Sequence, residues 1–179
     1  MRTATRVRGV TSNRPDDQAV TEVAAEAAAE PLVESAVGPV VEPVPEPLGP
    51  LLVVDAANVV GSVPDGWWRD RHAANERLRD RLAEIAATGL DPTGDRVPTW
   101  ACHPGLEVVL VVEGQARGVT STASVRVVAA PGSGDDAVVE VVRRDGVNRR
   151  CLVVTADREL RARVMALGAE AAGPSAVLR

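Results

Sequence analysis

Residues 51–62 read LLVVDAANVVGS, and the placement of Asp55 at the end of four apolar residues decides how the chain is read. A short apolar run closed by small and polar residues is the pattern of a buried parallel strand. A carboxylate where such a strand stops lies at the carboxyl edge of the sheet, where open α/β folds bind their ligands. One aspartate there says little; the question is whether later strands end the same way.

They do. LEVVLVVEG (106–114) is a second apolar run closed by Glu113, and SVRVVAAPGSGDD (124–136) is a third that breaks at Pro131 before Asp135 and Asp136. CLVVTAD brings a fourth run to Thr155 and Asp157, and a short fifth strand is expected near Ala176–Leu178. Between the first two runs, Ala74, Leu78, Leu82 and Ile85 recur at helical spacing, and Gly89 stops that helix as a C-cap. DAVVEVVRRDG has strand propensity but is assigned to helix, since parallel strands need a crossover between them. A last helix carries Leu160, Val164 and Leu167 on one face and ends at Gly168. The order β, α, β, β, α, β, α predicts a single three-layer α/β domain with a mainly parallel central sheet over residues 51–179. The segment from Glu113 to Ser124 is too short for an ordinary crossover helix and is the weakest joint in that topology.

Aligned at their ends, the strands bring Asp55, Glu113, Asp135 with Asp136, and Asp157 to one edge. Converging carboxylates repel one another, which proteins relieve by raising a pKa or by binding a cation. Oxygen-only donors suit Mg²⁺ or Mn²⁺, and the chemistry implied is hydrolysis of a phosphate ester, in which such ions activate water and stabilise the leaving oxygen. Each acid also has a plain reading. Asp157 and one of Asp135 and Asp136 precede helices and serve as N-caps on that reading, and Glu113 is a solvated turn residue. Four strands all ending in acids are harder to assign to capping alone.

DAANVVGS after the first strand, VVEGQARG after the second, GSGDDAVV opening a helix and VVTADRELRARV near the end together resemble the PIN-like nuclease superfamily, in its NYN-type branch. The resemblance spans residues 51 to about 178 and rests on the order of the motifs. It implies a metal-dependent ribonuclease. Asp55, Asp157 and one of Asp135 and Asp136 are the implied metal ligands, and Glu113 stands where relatives more often carry aspartate. Asn58, in the DxxN characteristic of the branch, orients a ligand carboxylate or a metal-bound water. The expected catalytic set is therefore Asp55, Asn58, Asp136 and Asp157, the expected metal set is Asp55, Asp135, Asp136, Asp157 and Glu113, and RNA is the expected partner.

Arg69, Arg71, Arg117 and Arg158 lie near strand carboxyl ends, where they are placed for phosphate, although a solvated face also accounts for each. Trp67 and Trp68 either stack a base at the mouth of the site or belong to the core, which the size of tryptophan favours. His72 and His103 have no Cys and His partners at zinc spacing and read as surface residues. GSGDD lacks the remaining features of a phosphate loop, and its aspartates repel phosphate unless metal intervenes. No Ser, His and Asp order or HExxH motif is present.

The remaining composition bounds the setting. The 179 residues suit one domain, and the chain holds 20 arginines with no lysine, phenylalanine or tyrosine, a signature of GC-rich coding. Of the net charge of −5, residues 1–50 carry 8 acids against 4 arginines. That segment, alanine-rich and then with five prolines from Pro39 to Pro50, reads as a disordered acidic tail. The domain is close to neutral, which argues against a strongly basic, sequence-indifferent DNA binder. Two unpaired-looking cysteines and no apolar run of membrane length point to a cytoplasmic protein with no membrane association. Two other functions use the same acids: hydrolysis of nucleoside triphosphates to release pyrophosphate, and RNA binding without catalysis. The glutamate-rich helices usual for the former are missing, and a decayed site would be expected to have lost some acids.

Overall fold

β1 (Leu51–Asp55) is buried at all five positions because it runs through the middle of a parallel sheet. The computed structural model describes residues 48–178 other than Asp95, so the expected tail lies outside the described residues apart from its last three positions. β2 (Glu107–Val112) and β4 (Cys151–Val154) flank β1, and β3 (Val125–Ala129) and β5 (Glu170–Ala172) form the edges. The order is β3-β2-β1-β4-β5 and every pairing is parallel. This is the single three-layer α/β domain expected.

Alternation along each strand builds two cores. Leu52 and Val54 share one face with Leu110 and Leu152, against α1 (Ala56–Gly61) and α2 (Arg71–Thr88). Leu51, Val53, Val109 and Val153 face α3 (Gly134–Asp145) and α4 (Arg158–Met165). With no Phe or Tyr available, Val and Leu fill both layers. α2 buries Ala74, Leu78 and Leu82 and packs Ile85 at the core's margin, as its spacing predicts. Gly89 caps it at φ +87°, and a Cβ there would collide with the Cys102 carbonyl, so glycine is required twice over.

Two expectations are corrected. The stretch Ala176–Leu178 belongs to a helical turn, α5 (Ser175–Leu178), and the fifth strand is the preceding Glu170–Ala172. Pro174 has no N–H to give a sheet ladder, while the alanine-rich EAA is too short and weakly apolar to announce itself. α4 ends at Met165, so Leu167 is exposed in the turn leading to Gly168. As its length leads one to expect, the β2–β3 connection holds no ordinary helix: a 3₁₀ turn over Gly114–Gly118 buries Ala116 and carries the chain across. Ser121 and Thr122 then accept the N–H groups of Val127 and Val125 at the entrance to β3.

The edge of the sheet opposite the acids is held by charge. Glu107 accepts from Arg126 and from the buried Arg149 (2.7 Å), while Asp145 at the end of α3 is bridged by Arg144 and Arg126. The Arg144 hydrogen bond, followed by that of Arg126, pulls the Asp145 carboxyl down to about 2 against the opposing effect of burial. A carboxyl depressed in the folded state contributes stability above its unfolded value near 3.8 and loses it as pH falls through about 2. Asp145→Asn is therefore expected to lower stability at neutral pH by about 1–2 kcal/mol, after screening of the exposed arginine, and to flatten the loss between pH 4 and pH 2. Urea denaturation at stepped pH reads both effects; parallel curves for the two proteins would refute the assignment.

Candidate functional site

Asp55 is both the last residue of β1 and the N-cap of α1, and it is only 4% exposed. Its Oδ1 accepts the Asn58 N–H at 3.3 Å, and its Oδ2 accepts from Asn58 Nδ2 at 2.6 Å. The DxxN spacing is thus a local device: the side chain at the third helical position returns to the N-cap and fixes its carboxylate. Of the two roles considered for Asn58, this geometry serves orientation of the carboxylate.

A third donor comes from the residue just after β4. The Thr155 hydroxyl, fully buried, donates to Asp55 Oδ2 at 2.8 Å and accepts the Asp157 N–H at 3.1 Å. Thr155 therefore ties the first acid to the backbone of the fourth. Arg161 fixes Thr155 in turn, donating from Nε and Nη2 to its carbonyl at 3.0 and 2.9 Å. Neither residue belongs to the site expected from sequence. The available signal was a threonine two positions before Asp157, just past a strand that neighbours β1. Thr155→Val is expected to leave a buried carboxylate short of one donor and to destabilise the fold by about 1–3 kcal/mol. Thermal unfolding checks this, and an unchanged midpoint would remove Thr155 from the support of the site.

Asp157 N-caps α4 through Oδ1, which accepts the Leu160 N–H at 2.7 Å. The capping reading is correct, and it leaves Oδ2 without a donor among the described residues. Asp135 and Asp136 sit in the first turn of α3 behind the N-cap Ser133, and they part there. Asp136 is exposed and ion-paired with Arg163 at 2.6 Å. Asp135 accepts no hydrogen bond among the described residues. Burial first, and then the charges of Asp55 and Asp157, hold its carboxyl above the usual value; Arg163 opposes them and Glu113 adds a further push. Asp135 is thus the member of the pair that lies in the field of the other acids.

Glu113 follows β2 and reaches across to α3, where its Oε2 accepts the Gly134 N–H at 2.8 Å. A Cβ at Gly134 would press on that carboxylate, so the glycine of GSGDD serves this approach rather than a phosphate. As the side chains stand, no three His, Cys, Asp or Glu residues among the described residues are arranged to hold a metal ion.

The arginines divide as well. Arg117 spends its guanidinium on the carbonyls of Pro131 and Gly132. Arg69 and Arg158 are exposed with no hydrogen bond or ion pair among the described residues, and Arg71 lies 5.1 Å over the Trp67 ring. Trp67 packs against the core, but Trp68 is 56% exposed, so of the two readings weighed for the pair the core reading, which their size favours, fails for Trp68. His72 and His103 are exposed, as read from sequence. Beside the acids, a cleft of about 200 Å³ is lined by Trp67, Arg71, Asn75, Glu113 and the small residues of α1 and the 3₁₀ turn.

No protein-family model matches the chain, and no curated protein does. Solved structures do. Rae1 (YacP) from Bacillus subtilis matches at a TM-score of 0.55 and 16% identity, over 72% of this chain and 71% of that one. A tryptophan-to-leucine mutant of the same protein matches at 0.53 and 18%, over 73% of each chain. At such identities the likeness is one of fold. Among the described residues, no helix is long and apolar enough to cross a membrane.

Proposed function

We propose that this domain is a PIN-like, NYN-type ribonuclease that hydrolyses RNA phosphodiester bonds with the help of Mg²⁺ or Mn²⁺. What supports the reading is that Asp55, Asp135 and Asp157 end or follow strands at the carboxyl edge of the sheet, near enough for the charges of the first and last to raise the Asp135 carboxyl. The fold shared with Rae1 (YacP) is consistent with the superfamily resemblance of the motifs.

The donor set fits a hard divalent cation: oxygen atoms alone, negative charge that needs compensation, and unbonded oxygens on Asp135 and Asp157. Mg²⁺ keeps several waters, so it does not require three carboxylates closed around it beforehand. Bound there, a divalent cation would supply neutralising charge and a more acidic water. The protein's own residues do the rest. Asn58 and Thr155 hold Asp55 in one orientation, so no reorganisation is needed there as charge develops. Asp135 and Asp157 present free oxygens, and Glu113 stands at their margin with one oxygen committed to α3. Arg69 and Arg158 offer guanidinium groups to the RNA phosphates. The free Cys102 and Cys151 agree with action in the cytoplasm.

Labelled single-stranded RNA and nucleoside triphosphates, each incubated with the full chain with and without Mn²⁺, test the proposal. Mn²⁺-dependent RNA cleavage is the expected result. Release of pyrophosphate alone would replace it with triphosphate hydrolysis, and RNA binding without turnover under either metal would reduce the domain to a binding module.

A further inference from the structure

The cleft beside the acids has a lining that the hydrolysis of a phosphodiester does not require. Asn75, in the first turns of α2, is 5% exposed; its Nδ2 donates to the Arg71 carbonyl at 2.7 Å, and its Oδ1 is buried without a donor among the described residues. An unsatisfied buried amide oxygen costs about as much as a lost hydrogen bond and calls for a reason. Asn75 shares the cleft with Arg71 and Glu113, and Trp67 forms one wall. The Arg71 guanidinium makes no hydrogen bond or ion pair among the described residues, only its contact with the Trp67 ring. At about 200 Å³ the space is smaller than the pockets that take drug-sized ligands and suits a single ring system.

We infer that this cleft is a nucleobase subsite selecting guanine next to the cleaved phosphate, so that the nuclease is base-selective. The inference rests on the ribonuclease reading for its place in the reaction, but not for its chemistry. Guanine presents two acceptors, O6 and N7, which arginine reads in the commonest of specific base contacts. Its N1–H and N2–H₂ are donors and require acceptors. The polar groups of the cleft match that set: a guanidinium in Arg71, and acceptors in Asn75 Oδ1 and the second oxygen of Glu113, whose first is held by Gly134. Uracil has a single ring N–H and no exocyclic amine, and adenine and cytosine have an amine but no adjacent ring N–H, so none presents the paired N1–H and N2–H donors that guanine offers to two separate acceptors. The Asn75 oxygen is shielded as the side chains stand. The Arg71 guanidinium, exposed and held only by a ring, is the lining group free to swing off Trp67 and turn onto an entering base.

Calorimetric titration of the full chain with GMP, AMP, CMP and UMP in the presence of Mg²⁺ reads the subsite without any turnover. GMP is expected to bind about tenfold or more tighter than UMP. Asn75→Leu and the surface variant Arg71→Gln should each bring the two within about threefold, with Arg71→Gln covering the case in which Asn75→Leu fails to fold. Equal affinity for the four nucleotides, or a preference that Arg71→Gln leaves intact, would overturn the inference. Cleavage of RNAs that differ at one base separates it from the ribonuclease reading. Indifferent cleavage sinks the subsite and leaves the nuclease, whereas GMP selectivity without RNA cleavage does the reverse.

Discussion

Asp55→Asn is expected to lower RNA hydrolysis roughly a hundred- to thousandfold while moving the thermal midpoint by only a few degrees. The loss is of the size seen when one preorganised electrostatic group is removed from a reacting centre. Asp55 is the acid whose orientation is most completely fixed, with three donors from Asn58 and Thr155 and almost no exposure. Asparagine keeps its shape and can still accept from Asn58 and Thr155, but it removes the charge. The stability terms nearly cancel. An amide N–H would face the Asn58 N–H where Oδ1 now accepts, which is unfavourable. Against that, a buried negative charge next to Asp135 and Asp157 disappears, which is favourable. Cleavage assays with Mn²⁺ beside differential scanning calorimetry give both numbers. Activity within tenfold of the parent would remove Asp55 from the reaction, and a collapse of the midpoint would make the loss structural.

The sheet was legible because its signal is short-range. Each central strand is an uninterrupted run of Val and Leu ending in a small or polar residue, and in a sheet covered on both faces that pattern has few other meanings. Helix α2 was legible for the same reason, down to its terminating glycine. What escaped were features set by distant partners. β5 is three residues whose only strand signal is the ladder with Leu152–Val154. Leu167 matched the helical period but lay past the point where α4 gives way to a turn. In the site, the positions of the acids at strand ends follow from the local pattern, yet Thr155 joins Asp55 only because β1 and β4 are neighbours, and neighbour order is not written in either strand. Asn75 was hidden in a helix that reads as amphipathic, where a buried asparagine breaks the period without announcing why.

The paired aspartates show the same limit, and they supply the sharper test. In sequence Asp135 and Asp136 are equivalent; on a helix, successive residues point about 100° apart, so only one can face the other acids. Asp135 feels the charges of Asp55 and Asp157 and has no hydrogen-bond partner among the described residues, whereas Asp136 is occupied by Arg163 on the outer surface. Asp135→Asn is accordingly expected to reduce RNA cleavage by about a hundredfold or more. Asp136→Asn should leave it within about threefold and cost stability no more than ~1 kcal/mol, the limit for an exposed ion pair. Arg163→Gln should resemble Asp136→Asn in stability. It should also strengthen Mn²⁺ affinity, because Arg163 offsets the negative field around Asp135. Metal titration of cleavage rates for the three variants separates the outcomes. Equal losses for both aspartates would mean that the first turn of α3 acts as a unit, and a reversed order would place Asp136 at the reacting centre, with Arg163 as its latch.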